Sequence, residues 1–349
     1  MAKDIYITIK GIKDLLRELK FRENTEVFGP IVKDGLHYIA KLCEDSEITL
    51  DYFITVNSIK GALFPRYEPI LRYSISKDGI QISDMDVNKK IVIFGGHPCD
   101  AASIPLMDKL FSWDCDDKFY MNRGKNSLVI TLACEEFDKD CFCTTLGYSP
   151  RGEIGSDILL EKVNDEAFRA KAVTEKGAKF IEENKSSFTQ DVNIDKRYPK
   201  IADRDIQIKF DKDRVKKWLE KNFEDPLWQK ITENCWSCAA CTFVCPTCHC
   251  FDITDEAGMW KGIRTKNWDA CTLPVFTLHA SGYNPREFYY QRYRQRINHK
   301  YNYYVDLFSA ISCTGCGRCS RVCGAGVNIS EILKTVSQAY SSLEAVKEA

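Results

Sequence analysis

The chain has 349 residues, of which 44% are hydrophobic and 28% charged, a composition that supports two or more domains with hydrophobic cores and argues against a disordered chain. Its formal net charge of −1 gives no overall attraction to nucleic acid or to a membrane surface. No segment approaches the roughly 20 consecutive apolar residues of a membrane span, and residues 1–10 lack the apolar core of a secretion signal. We therefore expect a cytoplasmic protein whose seventeen cysteines stay reduced.

The first part of the chain, residues 1–203, is expected to form a mixed α/β domain, because strand-like and helix-like segments alternate along it. Strands are predicted where β-branched and apolar residues cluster, at 48–56, 90–94 and 127–133. Helices are predicted where apolar residues recur at helical spacing, at 99–111 and 171–183.

A second domain is predicted for residues 204–349, after a polar, lysine-rich stretch at 182–204 that is typical of a linker. It begins with two predicted helices, at 210–223 and 225–234, which lead into a cysteine-rich region. The polar and aromatic residues 258–304, between the two halves of that region, are also expected to be helical.

Two cysteine runs in the second domain share the spacing C-x2-C-x2-C-x3-C. This spacing is typical of proteins with two cubane iron–sulfur clusters, in which the fourth cysteine of each run ligates the cluster of the other run. A zinc site needs only four ligands, so two such quartets favour two [4Fe–4S] clusters over zinc. Crossed ligation assigns the first cluster to Cys235, Cys238, Cys241 and Cys323. It assigns the second cluster to Cys313, Cys316, Cys319 and Cys245.

The predicted fold class is therefore α+β, with a mixed α/β N-terminal domain followed by an α-helical ferredoxin-type domain that carries two [4Fe–4S] clusters. The runs are separated by 68 positions, from Cys245 to Cys313, which indicates a ferredoxin core with a long insertion. This second domain resembles the α-helical ferredoxin domains of fumarate reductase iron–sulfur subunits and heterodisulfide reductase small subunits. Gly324 stands where such runs usually have proline, and either residue can form the tight turn.

Further cysteines lie in the N-terminal domain, in or just after predicted strand ends: Cys99, Cys134, Cys141 and Cys143. Thiols that converge there would form a third metal site, and a third [4Fe–4S] cluster is one interpretation. The alternative is that they are buried thiols that pack like small apolar side chains. For Cys248, Cys250 and Cys271, a set without a fourth partner, burial around the clusters is favoured.

Basic and aromatic residues alternate at 286–300, in the sequence REFYYQRYRQRINHK. Three interpretations stay open: a solvated helix face, positive charge that supports anionic clusters or docks an acidic partner, and nucleic-acid binding by phosphate contacts and base stacking. The small net charge gives no support to nucleic acid as a partner.

Five segments resemble the iron–sulfur electron-transfer subunit of anaerobic sulfite reductase and the β subunit of cytoplasmic sulfhydrogenases. They are residues 57–71 (NSIKGALFPRYEPIL), 94–111 (FGGHPCDAASIPLMDKLF), 141–150 (CFCTTLGYSP), 245–253 (CPTCHCFDI) and 299–317. The family usually has arginine where this chain has His97, directly before the PCD element.

The resemblance implies an electron-transfer subunit of an oxidoreductase complex. Its expected partners are a ferredoxin-reductase-like subunit that binds FAD and NAD(P)H, and a catalytic subunit of the sirohaem sulfite reductase, hydrogenase or heterodisulfide reductase type. Sulfite reduction of the dissimilatory, anaerobic type is the first interpretation, and a sulfhydrogenase or heterodisulfide-reductase-linked complex is the alternative.

The residues themselves also favour electron transfer over catalysis. The sequence shows no pattern typical of a flavin, nicotinamide or sirohaem site, and we assign no catalytic residue. A chain with only cubane clusters moves single electrons and must sit between partners. Interpretations of other classes are a zinc-binding nucleic-acid or scaffold module, and a free-standing reductase that uses an N-terminal metal site.

Overall fold

Two β-sheets organise the chain in the computed structural model, which describes residues 4–85, 88–194 and 200–348. The strands are β1 (Tyr6–Thr8), β2 (Thr25–Lys33), β3 (Leu36–Lys41), β4 (Tyr67–Ser76), β5 (Gly79–Asp84), β6 (Lys90–Gly96), β7 (Ser127–Leu132), β8 (Ile158–Asn164), β9 (Ala167–Ala172), β10 (Phe251–Ala257) and β11 (Lys261–Trp268).

Helices cover both faces of the larger sheet and also occur throughout the C-terminal part. The α-helices are α1 (Ile9–Phe21), α2 (Lys60–Leu63), α3 (Pro98–Ala101), α4 (Ile104–Phe111), α5 (Lys118–Asn126), α6 (Glu175–Glu183), α7 (Lys212–Lys221), α8 (Leu227–Ile231), α9 (Ala240–Phe243), α10 (Tyr289–Asn298), α11 (Tyr304–Phe308), α12 (Arg318–Arg321) and α13 (Ile329–Glu348). Short 3₁₀ helices lie at Cys143–Leu146, Lys185–Ser187 and Asp203–Asp205, and a π-helical turn at His299–Tyr303 joins α10 to α11. None of the helices in the described ranges has the length and apolar character needed to cross a membrane.

The larger sheet has the strand order β1-β9-β8-β7-β6-β2-β3, with β2, β6, β7 and β8 parallel. Alternate residues of β6 face opposite layers, as the strand period requires. Val92 and Phe94 pack with residues of α1 and α6, whereas Ile91 and Ile93 pack with residues of α2, α4 and α5. Because both faces are covered by helices, the central strands are apolar along nearly their whole length.

The carboxyl ends of β6 and β7 lie next to each other, because the two strands are parallel neighbours. Cys99 follows β6 within α3, and Cys134 comes two residues after β7. In open α/β sheets this edge is where ligands usually bind. The fold therefore carries two of the N-terminal cysteines to one edge of the sheet.

The structure confirms several predicted elements and corrects others. The strands predicted at 90–94 and 127–133 are β6 and β7. The helix predicted at 99–111 is split into α3 and α4, and Pro105 lies at the start of α4, a position that proline tolerates. The strand predicted at 48–56 is wrong. This segment is irregular. It is attached to β2 and β3 by hydrogen bonds from the Thr49 N–H to the Pro30 carbonyl and from the Val56 N–H to the His37 carbonyl.

The smaller sheet, with order β10-β11-β4-β5, shows that the all-helical prediction for 258–304 is wrong. Residues 261–268 form β11, which pairs antiparallel with β10 and with β4 from the N-terminal part. Gly262 lies directly against the Tyr73 ring, where a Cβ atom would come within 2.3 Å of the ring. The C-terminal part is therefore only partly helical.

The C-terminal helices share one hydrophobic core. Trp218 of α7 and Trp228 of α8 are fully buried and meet edge to face at 5.5 Å between ring centroids. Ile297 of α10 and Leu333 of α13 belong to the same cluster, which also includes Cys313 and Cys319. The second cysteine run is thus part of a packed core, which holds its backbone in place.

A buried charge network connects the two parts of the chain. The Lys266 ammonium on β11 lies 2.7 Å from a Glu68 oxygen on β4 and 2.7 Å from an Asp117 oxygen. Arg123 also contacts Glu68. The boundary between residues 203 and 204 stays a prediction, and residues from both sides of it share one sheet and one ion network.

We expect Lys266→Met to lower the free energy of unfolding by about 3 kcal/mol, because the change leaves buried carboxylates without their shared cation. Arg264→Met is the matched control on the same strand, since Arg264 pairs with Asp255 at the half-exposed surface and should contribute less than about 1 kcal/mol. Urea unfolding of the full chain under anaerobic conditions measures both. Equal midpoints for the two variants would show that the network does not stabilise the fold.

Candidate metal centres

The two cysteine runs follow the same backbone path. In each run two of the residues between the first three cysteines have left-handed φ values: Ser237 (53°) and Ala239 (63°) in the first run, Gly315 (68°) and Gly317 (71°) in the second. A short helix then starts at the same place, α9 after Ala239 and α12 after Gly317. Residues other than glycine lose about 1–2 kcal/mol in this conformation, so the path is kept even where it is strained.

Glycine is required in the second run because other backbone lies against it. A Cβ atom on Gly315 would come 2.5 Å from the Cys143 nitrogen, and one on Gly317 would come 2.5 Å from the Asp140 carbonyl oxygen. The Phe142 N–H also donates to the Gly315 carbonyl at 2.9 Å. The N-terminal loop with the C-x-C pair is therefore seated directly on the second cysteine run.

Cavity 1 is the space lined by Cys235, Cys238, Cys241 and Cys323. Cys323 completes the set from the other run, and its Sγ accepts a hydrogen bond from the Val327 N–H at 3.3 Å. The rest of the wall is uncharged and consists of Trp236, Ser237, Ala239, Ala240, Thr272, Tyr293, Ala325 and Val327. Gly324 lies against Trp236, where a Cβ atom would be 3.2 Å from the indole.

Cavity 2 is lined by Cys245, Cys313, Cys316 and Cys319. All of these cysteines are buried. Cys245 comes from the first run, and its Sγ lies 3.4 Å from the Thr247 hydroxyl and 3.5 Å from the Lys300 ammonium. Arg296 and Lys300 of the basic stretch line the same cavity.

Cavity 3 is lined by Cys99, Cys134, Cys141 and Cys143. Cys316 lines both this cavity and cavity 2. Arg321 donates to the Cys141 sulfur at 3.2 Å and forms an ion pair with Asp138. The N-terminal cysteines therefore converge in space, although they are spread over 45 positions of sequence.

The structure thus brings every predicted site cysteine into one of three quartets. The fourth cysteine of each run lines the cavity of the other run, which is the arrangement that crossed ligation requires. The ligand roles themselves stay predictions.

Burial has a direct consequence for the thiols. It raises the pKa of Cys319 to about 12 and that of Cys143 to about 12. A thiol with so high a pKa stays protonated at neutral pH unless a metal cation takes the place of the proton. At neutral pH, Cys319 and Cys143 are therefore either protonated thiols or metal ligands, and not free thiolates.

Hydrogen-bond donors without partners surround cavity 2. Within the described part of the chain, Arg296 Nε and Nη1 and Thr314 Oγ1 line this cavity, are buried and have no hydrogen-bond partner. Buried donors are normally satisfied, and cluster and thiolate sulfurs are acceptors that proteins commonly surround with such donors. This observation supports the fit of an iron–sulfur cluster at this site.

A site for a single metal ion is a different arrangement. In the described ranges, no group of three or more histidine, cysteine, aspartate or glutamate side chains could hold one ion. Thiolates of a zinc site all lie about 2.3 Å from one atom, whereas those of a cubane bind separate corners and stand further apart. The quartets line cavities in the way that a multi-atom cluster requires.

The basic stretch 286–300 is not a solvated helix face. Arg292, Arg294, Arg296 and Lys300 are all buried. Arg292 donates to the Thr272 carbonyl and to the Ser237 hydroxyl, so it holds the loop between the cysteines of the first run. These side chains are used within the protein and are not free to contact phosphates, which removes the basis for nucleic-acid binding.

Sequence reasoning did not identify the buried pair of Asp100 and Arg318. Their side chains meet at 2.7 Å, and Arg318 also donates to the Thr55 carbonyl. The sequence contains a sign of this pair: an arginine lies inside the second cysteine run and an aspartate directly follows Cys99, so opposite charges stand beside predicted ligands. His97 is also buried, and its Nδ1 lies 3.0 Å from the Leu132 carbonyl at the edge of cavity 3.

The leftover cysteines lie close to the first run. Cys248 and Cys271 are buried and Cys250 is half-buried. Lys60 donates to the Cys248 carbonyl at 2.8 Å. As the structure describes the chain, none of the three lines cavity 1, 2 or 3, which agrees with packing around the clusters.

Comparisons with known proteins agree with this chemistry. Residues 234–327 match the 4Fe-4S dicluster domain family. The chain is 29% identical over 324 residues to the sulfhydrogenase 2 subunit beta of Pyrococcus furiosus, an alignment that covers 91% of this chain and 94% of that protein. No solved structure matches the chain. The predicted resemblance is confirmed: residues 234–327 form a 4Fe-4S dicluster domain, and the similarity of most of the chain to a sulfhydrogenase β subunit supports an iron–sulfur electron-transfer subunit.

Proposed function

We propose that the chain passes single electrons through three [4Fe–4S] clusters, one in each cavity, between a flavin subunit that oxidises NAD(P)H and a hydrogenase-type catalytic subunit. The observation that carries the proposal is the grouping of the twelve cysteines into three adjacent quartets. Each bound cluster would supply a centre that takes up and releases one electron. The chain's own residues fix where these centres lie.

The cavities lie in the order 3, 2, 1. Cavities 3 and 2 share Cys316 as a common wall. Cavities 2 and 1 are joined by Cys245 and Cys323, each of which belongs to one run and lines the cavity of the other. Electrons would therefore travel along a line with cavity 2 in the middle.

The two ends of this line reach the surface. Cys238 at cavity 1 is exposed, and the neighbouring Trp236 is 69% exposed. Cavity 3 is bordered by Phe137, which is also exposed. The cysteines of cavity 2 are all buried. Partner subunits would accordingly contact the chain at cavity 1 and at cavity 3, and cavity 2 would receive electrons only from within the chain.

The relative favours a sulfhydrogenase-type complex over sulfite reduction. That protein is the β subunit of a sulfhydrogenase, and its similarity to this chain includes the N-terminal part as well as the dicluster domain. Nothing in the comparisons supports sulfite reductase. We therefore place the alternative interpretation of the sequence, the sulfhydrogenase type, ahead of the first one.

The iron content tests the number of clusters. The full chain, purified anaerobically, should contain about 12 irons because three cubanes carry four each. Cys134→Ser should lower the content to about 8 by disturbing cavity 3 alone. Cys115→Ser, a change at an exposed cysteine outside the three cavities, is the matched control and should leave it unchanged. About 8 irons in the unmodified chain would remove the third cluster from the proposal.

Crossed ligation is tested by replacing the fourth cysteine of each run with serine, one at a time. Cys323→Ser should alter the EPR signal of the cluster in cavity 1, and Cys245→Ser that of the cluster in cavity 2, because each cysteine lines the cavity of the other run. Cys238→Ser, within cavity 1, identifies the first of these signals. If Cys323→Ser and Cys238→Ser affect different signals, each run binds its own cluster and the crossed assignment is wrong.

The composition of the native complex tests the function itself. Anaerobic purification through a tag on the full-length chain should recover a flavin subunit and a nickel–iron hydrogenase-type subunit, which absorption spectroscopy and metal analysis identify. A sirohaem subunit in their place would restore the sulfite reductase interpretation. A chain recovered alone under low and high salt would contradict the role of a complex subunit.

A further inference from the structure

We propose that cavity 2 holds the highest-potential centre of the three, and that the buried side chains Arg296 and Lys300 make it so by contributing positive charge that no carboxylate balances. This inference rests on the proposed function, because it assumes a cluster in each cavity. It adds which of the three centres is the first to be reduced.

Arg296 is the first of the two cations. Its side chain is 1% exposed and lines cavity 2. Nη2 lies 3.3 Å from the Cys241 carbonyl, while Nε and Nη1 have no partner within the described residues. In the same ranges no carboxylate forms an ion pair with this guanidinium, so it brings a net positive charge to the wall.

Lys300 is the second cation, 3% exposed, and it follows Arg296 by four residues. Its ammonium lies 2.8 Å from the Thr247 hydroxyl, 2.9 Å from the Ser312 carbonyl and 3.5 Å from the Cys245 sulfur. These partners are neutral oxygens and a predicted ligand sulfur. Within the part of the chain that the structure describes, Lys300 has no carboxylate partner either. A buried charge of this kind is costly unless an anion lies close to it.

The walls of the other two cavities have fewer unbalanced cations. The wall of cavity 1 contains no charged side chain besides its cysteines. Arg292, which has no carboxylate partner in the described ranges, lies behind that wall and donates to the Ser237 hydroxyl. Near cavity 3 the cations are balanced, since Arg318 pairs with Asp100 and Arg321 pairs with Asp138. Glu136 in the wall of cavity 3 adds a further negative charge.

The difference in charge sets an order of potentials. A cluster becomes more negative when it accepts an electron, and a nearby positive charge in a low-dielectric interior stabilises the reduced form. N–H donors directed at sulfur act in the same sense. With equal ligand sets, the centre beside two unbalanced cations is therefore the easiest to reduce.

An electron that enters at either end would then settle in the middle. This arrangement allows one electron to wait in cavity 2 while the next arrives at an outer centre. Such a station suits a chain that receives electrons from a flavin, which takes two electrons together from a nicotinamide and releases them singly.

Redox titration followed by EPR tests the order on the intact chain with its clusters. The signal with the highest midpoint should be altered by Cys245→Ser and unaffected by Cys238→Ser, which assigns it to cavity 2. If Cys238→Ser or Cys134→Ser alters that signal instead, the proposed order is wrong. Three signals and about 12 irons would in that case still support the relay, so the two proposals fail separately.

Substitution of Arg296 tests the cause. In Arg296→Gln, the ratio of reduced to oxidised cluster in cavity 2 at a fixed potential should fall at least tenfold, a shift of about 59 mV for one electron. Arg296→Lys keeps the charge and should stay within about threefold of the unmodified chain. Arg294→Gln is the matched control, because Arg294 is buried on the same helix but pairs with Glu224 at 2.6 Å. It should leave the midpoint unchanged.

If Arg296→Gln loses iron, Lys300→Gln is measured instead. This change removes the second cation and should shift the midpoint of the same cluster in the same direction. An unchanged midpoint in an iron-replete Arg296→Gln or Lys300→Gln variant would overturn the role of these cations.

Discussion

The contact on which the metal centres depend is the seating of residues 140–143 on Gly315 and Gly317. At both glycines the opposing backbone lies closer than any side chain would allow, and the Phe142 N–H bonds to the Gly315 carbonyl. This contact makes Cys316 a wall of two cavities at once. Any residue larger than glycine at either position would separate the C-x-C loop from the second run, and the continuous line of quartets would be interrupted between cavities 3 and 2.

Buried charge is distributed unevenly around this contact. The pair of Asp100 and Arg318 joins the helix after β6 to the second cysteine run. Because both side chains are buried, the pair fixes the geometry of this contact more than it adds to the free energy of unfolding. Arg296 and Lys300 have no such partners in the described ranges, although isolated buried cations are among the costliest groups in a protein. Cysteine thiolates and the clusters that they would bind are the anions that make their burial understandable, because no carboxylate in the described part of the chain pairs with either side chain.

The sequence predicts these features in proportion to how local they are. The spacing of the two runs is a local pattern, so the quartets of cavities 1 and 2 follow from the spacing alone. The convergence of Cys99 and Cys134 depends on β6 and β7 being parallel neighbours. The sequence indicates where these two strands end, but it does not indicate that they pair. β11 is not predictable because its sequence, KGIRTKNW, has little apolar–polar alternation and because its pairing with β4 is nonlocal. The sequence leaves the role of the stretch 286–300 open, because the groups that its cations contact are not recognisable from its own residues.

By the same reasoning, the N-terminal part is an integral element of the proposed relay. The similarity to the sulfhydrogenase β subunit extends over 91% of the chain, far beyond the dicluster domain at 234–327. The α/β sheet places Cys99 and Cys134 at the carboxyl edge of its parallel strands, where such sheets typically bind their ligands. The pairing of β11 with β4 and the buried Lys266 and Glu68 fix that sheet against the cysteine runs. In the proposed relay, a sheet edge of the kind that usually supports a substrate site would instead hold the cluster at one end of the line.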